Sequence, residues 1–203
     1  MKTNFFLLLA IFFIAASSCG CTKDGEKGDP IFALPPATQT GANTFGAIIN
    51  GQIMVPRNTR GYIPPGSTHN AVNYTQSNNW EAIAAADGVT NMGGLYIYIK
   101  NVDNIYPLKV KNYPIENSNG AFSNSSATNT LITAGTKDNN GNLKIYLSIA
   151  NTGTINITRS DNAIISGTFS CKLSFKDDPT DIIEIKEGPF DFAKSTINST
   201  DFK

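Results

Sequence analysis

Side chains able to carry covalent or proton-transfer chemistry are few in this sequence. There are three cysteines, Cys19, Cys21 and Cys171, and a single histidine, His69. A hydrolytic centre needs a nucleophile, a base and a group that orients the base, all within reach of one another. His69 falls in a polar loop read over residues 57–70, with Arg57, Arg60 and Tyr62 but no acid beside it. It is expected to be a solvated side chain. The serines lie in low-complexity loops or on polar strand faces, and no Gly-x-Ser-x-Gly occurs at a strand-to-helix turn. Neither a CxxC pair, a His-rich spacing for zinc, nor a glycine-rich phosphate loop is present. Asp138-Asn139-Asn140-Gly141-Asn142 has part of a calcium loop's spacing but lacks the later bidentate acid, and reads as a hairpin turn between Thr136 and Leu143. Asp177, Asp178 and Asp181 read as a second turn. Strands can bring distant carboxylates together for glycoside cleavage, but nothing in the sequence singles out a pair. No catalytic residue, metal or cofactor is therefore expected. The chain reads as non-enzymatic, with a carbohydrate-active or other hydrolase as the alternative.

Cys19 stands apart because of what precedes it. Lys2 is the only charge in the first 21 residues, and Phe5 to Ala16 is an unbroken apolar run. As a helix that run spans about 18 Å, too short for a bilayer core. A basic start, a short apolar stretch and small residues make a secretory signal. Ala16-Ser17-Ser18-Cys19 resembles the bacterial lipobox, in which the chain is cut before a cysteine that carries a lipid. Cys19 is the expected lipidation site, with Cys21, preceded by Gly20, as the alternative. Cys171 lies far away in a strand and is expected to be a buried free thiol, the alternative being a bridge to Cys21. Residues 22–39, with Gly25, Gly28, Pro30, Pro35 and Pro36, read as a semi-stiff tether. Lys23-Asp24-Gly25-Glu26 resembles the acidic signal that sends some lipoproteins to the outer face of the cell. The expected location is the outer membrane of the cell envelope, facing either the surface or the periplasm.

The remainder bounds the fold. Sixteen Lys+Arg balance sixteen Asp+Glu with no basic stripe, so nucleic acid is excluded as an expected partner. Asn50-Gly51 between two apolar runs predicts a type I′ hairpin. Trp80 to Ala86 reads as a strand despite its helix-forming alanines. Leu95, Ile97 and Ile99 alternate with Tyr96, Tyr98 and Lys100. Leu143, Ile145, Leu147 and Ile149 alternate with Lys144, Tyr146 and Ser148. Ile165 to Phe175 alternates over eleven residues, with a bend allowed at Gly167. Such period-two patterns predict antiparallel strands, one face buried and one wet. Ile155 to Ile157 and Ile182 to Lys186 are the expected hairpin neighbours of that last strand. Asn112 to Thr130 is a long polar stretch with one short strand around Phe122, readable as a binding loop or as a plain connection. Tyr96 and Tyr98 on the wet face, with Trp80 either in the core or stacking beside them, form the expected ligand patch.

The opening Leu34-Pro-Pro-Ala-Thr-Gln-Thr-Gly-Ala-Asn-Thr-Phe-Gly46, then Ile49-Asn-Gly51, Ile165-Ser-Gly-Thr-Phe169 and Gly188-Pro-Phe-Asp-Phe192, resembles the mature domain of a Bacteroidota lipoprotein family of unknown function. Members often carry a cysteine where this chain has Ala47 and a basic residue in the Gly188–Phe190 motif, so no shared disulfide is implied here. The resemblance implies an envelope location and a β fold, and carries no activity. The expected organisation is a signal peptide over 1–18, a lipidated tether over 19–40 and an antiparallel β-sandwich over 41–203. The expected role is a lipid-anchored binding or accessory module that meets the membrane through its N-terminal lipid. Its partner would be a glycan or another envelope protein, and a structural part in an outer-membrane assembly is the further alternative.

Overall fold

Alternation of apolar and polar residues along the chain becomes an all-β, antiparallel architecture. The computed structural model describes residues 33–59, 70–89, 93–121, 126–138 and 140–203. The signal sequence, Cys19, Cys21, most of the tether, His69 and Phe122 lie outside them. Among the described residues the strands are β1 Thr44–Phe45, β2 Ala47–Ile49, β3 Gln52–Met54, β4 Val72–Ser77, β5 Trp80–Ala86, β6 Gly94–Lys100, β7 Asn112–Pro114, β8 Leu131–Lys137, β9 Leu143–Ser148, β10 Thr154–Ser160, β11 Ile164–Phe175 and β12 Asp178–Ala193. They join one sheet in the order β3-β2-β12-β11-β9-β8-β6-β5-β4. The two long strands are shared by both ends of this sheet. The first half of β11 pairs with β10, which holds β7, and its second half pairs with β9. On its other side β12 meets β1 at Phe190–Asp191 and β2 at Ile185. Between Phe169 and Cys171 the register shifts, so that Lys186 and Glu187 of β12 oppose Ser170. A bulge of this kind bends a strand and deepens its twist.

The sheet curls around its apolar face. Phe45, Phe169, Phe190 and Phe192 pack ring against ring at centroid distances of 5.6 to 6.5 Å. Tyr74 of the terminal strand β4 reaches Phe192 of β12 at 6.2 Å, so one end of the sheet comes back against its middle. Full burial of each such ring stabilises the fold by roughly 2–3 kcal/mol. Gly188 is needed where these rings meet, because a Cβ there would lie 2.3 Å from the Phe169 ring. The outer edge of β4 is met at Tyr74 by a side chain rather than a strand. Asn198, in a short 3₁₀ turn at Ile197–Ser199, accepts from the Tyr74 amide at 2.7 Å and donates to the Tyr74 carbonyl at 2.8 Å. Paired edges of this kind are protected from recruiting other chains.

Several expectations take concrete form. Asn50 and Gly51 have φ of 48° and 81°, the positive pair of a type I′ turn linking β2 and β3. Cys171 is a buried free thiol, pushed up to about 12 by burial. In β9, however, sidedness is the reverse of that expected. Ala134, in the core, faces Tyr146, so Tyr146 and Ser148 point inward while Leu143, Ile145 and Leu147 point outward. Tyrosine and lysine can each present an apolar body with a wet tip. Tyr146 packs on Phe175 at 5.6 Å and reaches Asp181 with its hydroxyl, and Lys144 lies 4.6 Å over the Phe175 ring on its way to Asp181.

The end of the segment read as tether is docked onto this body. Asp191, fully buried in β12, accepts from the Thr38 hydroxyl at 2.6 Å, from the amides of Thr40, Gly41 and Ala42 at 2.9 to 3.1 Å, and from the Ser166 hydroxyl at 2.6 Å. Burial alone would raise the Asp191 pKa, but the donors from Ser166, Thr38, Ala42 and Gly41 outweigh it and hold the carboxyl far below the usual range. Because the folded value is depressed, the stabilisation is present above the ordinary carboxylate pKa of about 4 and fades as pH falls through the folded value. Asp191→Asn places an amide donor against donors and is expected to lose roughly 2–4 kcal/mol at pH 7, with a smaller deficit at pH 3. Urea unfolding followed by Trp80 fluorescence at the two pH values measures both.

Candidate functional site

The outer face of the β5-β6-β8-β9 sheet is unusually apolar for a surface that alternation would leave wet. One half is covered by the chain's own loop. Residues 115–121 and 126–130 cross it, bonding Ser118 N to the Ser148 carbonyl at 3.1 Å, Glu116 N to the Thr130 carbonyl at 2.9 Å and the Ser118 hydroxyl to Thr133 at 2.8 Å. Beneath this cover Ala121 and Ala127 pack with Ala82, Tyr96, Tyr98 and Leu131 into a second small core, against which Trp80 lies. The expected ligand patch is thus assembled but not open. Tyr98 stacks on Trp80 at 6.0 Å, yet Tyr96 and Tyr98 are only 4% and 2% exposed. Burial and the neighbouring Tyr98 push the Tyr96 hydroxyl up to about 12. The patch is a packing layer because the polar loop 112–130 supplies small apolar side chains at Ala121 and Ala127, a use its composition hid.

The other half of the same face is an open groove of about 510 Å³. Its floor is built from residues too small to fill it: Ala84 and Ala86 of β5, Gly94 of β6 and Gly135 of β8. Tyr96 forms the wall shared with the covered half, and Leu143 and Ile145 of the reversed β9 form the far wall. Leu143 is 64% exposed, whereas Leu147, four residues on, lies under the loop within van der Waals reach of Gly120. Asn70 and Asn73 stand at the β4 end, and Lys137 stands beside Leu143 at the other. Lys137 has no ion-pair partner among the described residues. The groove can take an apolar body and offers one cation. The small residues on the polar side of three neighbouring strands were the sequence signal for it, but it was usable only once the sidedness of β9 was known.

A second depression, of about 600 Å³, lies between residues 34–37 and the β10-β11-β12 surface, with Lys186 and Glu187 at the bulge. Its wall is the N-terminal segment pinned by Asp191. Elsewhere several acids are held by a basic side chain. Asp87 takes two bonds from Arg57, at 2.8 and 2.6 Å, fastening the chain after β3 to the end of β5. No group of three or more metal-ligating side chains occurs among the described residues. Comparison with protein-family models, with curated proteins and with solved structures finds no match to this chain.

The most costly pair is Glu81 with Lys194, whose side chains are 1% and 5% exposed with Nζ 3.7 Å from Oε1. Tyr74 donates to the other carboxylate oxygen at 2.6 Å, and Lys194 donates to the Tyr106 hydroxyl at 3.1 Å and lies 4.6 Å over its ring. Burial raises the Glu81 pKa, with Lys194 and the Tyr74 bond opposing it. An acid whose folded pKa is raised binds protons more tightly when folded, so stability falls as pH climbs from its unfolded value towards its folded one. Lys194→Met leaves the carboxylate buried without its cation, at a cost of about 3–5 kcal/mol. Thermal unfolding is expected to show this loss at pH 8 and partial recovery at pH 5, where Glu81 takes up a proton.

Proposed function

We propose that this protein is a lipid-anchored, non-enzymatic binding module of the cell envelope, with the outer-face groove as its contact surface. The observation that carries the reading is the split outer face: one half sealed by the chain's own loop, the other left with aliphatic walls and a floor of alanine and glycine. A single groove with a few polar groups around an apolar lining is the usual form of a site for a small ligand. Retaining or inverting glycosidases need two carboxylates roughly 5–9.5 Å apart across the bond they cleave. The two depressions offer one carboxylate between them among the described residues, that of Glu187.

The anchor half of the proposal rests on Lys2, the Phe5–Ala16 run and Ala16-Ser17-Ser18-Cys19. Since the body is docked from Leu34 onward, residues 20–33 fix the reach from a lipidated Cys19 at no more than about 50 Å. The outer membrane is the location that this reading and the family resemblance both favour. Growth with an alkyne-tagged fatty acid tests the anchor. The full chain is expected to take up label, and Cys19→Ala is expected to lose it. Label retained by Cys19→Ala moves the anchor to Cys21, and an unlabelled wild-type chain overturns the proposal.

A further inference from the structure

We infer that the outer-face groove binds one free long-chain fatty acid, its aliphatic chain laid across the strands and its carboxylate held at Lys137. The inference deepens the binding-module reading above and rests on it. The groove runs from Leu143 and Lys137 at β9-β8, over Gly135, Gly94 and Ala84, to Asn73 on β4, crossing five strands in sheet order. Four inter-strand steps of about 4.8 Å give a channel ~19 Å long, the span of an extended long-chain acyl group.

Chemistry along the channel is graded. Its middle offers no donor or acceptor from a side chain other than the Tyr96 hydroxyl, and the alanine and glycine floor lets a linear chain lie close to the backbone. Lys137, exposed and without an ion-pair partner among the described residues, supplies one positive charge at one end only. One cation and one lane match a single chain with a single anionic head. A phospholipid brings two chains and a bulky phosphate, and the lining holds no second cation. The loop over residues 115–130 shows how this face is satisfied elsewhere: small apolar groups laid across it from outside.

The test uses the full chain carrying Cys19→Ala and Cys21→Ala, so that no attached lipid competes, purified without detergent. Displacement of a fluorescent fatty acid by palmitate is expected to show one saturable site per chain. Ala84→Trp, which fills the floor from a solvent-exposed position outside the core, is expected to weaken palmitate at least tenfold with an unchanged melting temperature. Lys137→Glu is expected to weaken palmitate about tenfold and leave hexadecanol, which has no carboxylate, unchanged. Absence of saturable palmitate binding overturns the inference, as does equal binding by Ala84→Trp. Binding to phospholipid vesicles without binding to palmitate overturns it too, in favour of a membrane-contact face. Failure here alongside fatty-acid labelling of wild-type Cys19 removes the ligand and leaves the anchored module standing, whereas an unlabelled wild-type chain removes the reading beneath it.

Discussion

One buried carboxylate ties the two ends of this fold together. Asp191 sits in the long C-terminal strand without an ion-pair partner among the described residues, and its charge is met by hydroxyls and backbone amides from residues 38–42 and by Ser166. A buried charge without donors would cost far more than folding can spare. The N-terminal segment therefore cannot leave without stranding it. The consequences run outward from there. With residues 38–42 fixed, β1 is laid on β12 at Phe45–Phe190, and the hairpin of β2 and β3 follows at once. Phe45 then completes the aromatic cluster with Phe169, Phe190 and Phe192. The last strand thus works as a spine, with β1 and β2 on one side and β11 on the other.

The same strand's exit carries the second polar commitment of the core. Lys194, just past the end of β12, meets Glu81 of β5 among Tyr74 and Tyr106, so the far end of the curled sheet is joined to the spine by charge as well as by the Tyr74–Phe192 contact. Asn198 then pairs with the β4 edge at Tyr74. Inner face and edge are accounted for by the chain itself. Among the described residues, the outer face is not. Its covered half behaves as a second core, and its open half keeps aliphatic side chains in water that the fold's own packing never uses.

Much of this was legible in the sequence, for physical reasons that also mark where legibility stopped. Period-two alternation located β6, β9 and β11, and Asn50-Gly51 announced its turn because only such residues accept two positive φ values cheaply. Trp80–Ala86 formed a strand against its alanine content, since pairing with β4 and β6 overrides local helix propensity. Alternation fixes a period but not a sign. In β9 one face is aliphatic and the other carries the amphipathic Lys144 and Tyr146, so either could be buried, and only pairing with β8 decides that Tyr146 goes in and Ile145 goes out. The aromatic patch was assembled as expected from Trp80, Tyr96 and Tyr98 but lies under a loop whose composition is polar. β12 was foreseen as a short strand at Ile182–Lys186, whereas it runs from Asp178 to Ala193, across a bulge and past Pro179 and Pro189, which sequence patterns read as stops. Asp191 gave no sequence signal, because its partners lie about 150 residues away along the chain.

If the open half of the outer face takes a ligand while the covered half is structure, the two halves respond differently to a fatty acid. Methyl-resolved NMR of the full chain, titrated with palmitate, separates the two directly. On this proposal the methyls of Leu143 and Ile145 and the Ala84 and Ala86 methyls shift in a saturable way, while Leu131 beneath the loop and Ile157 in the core stay fixed. Shifts confined to Leu34 beside the second depression, or none at all, would contradict it.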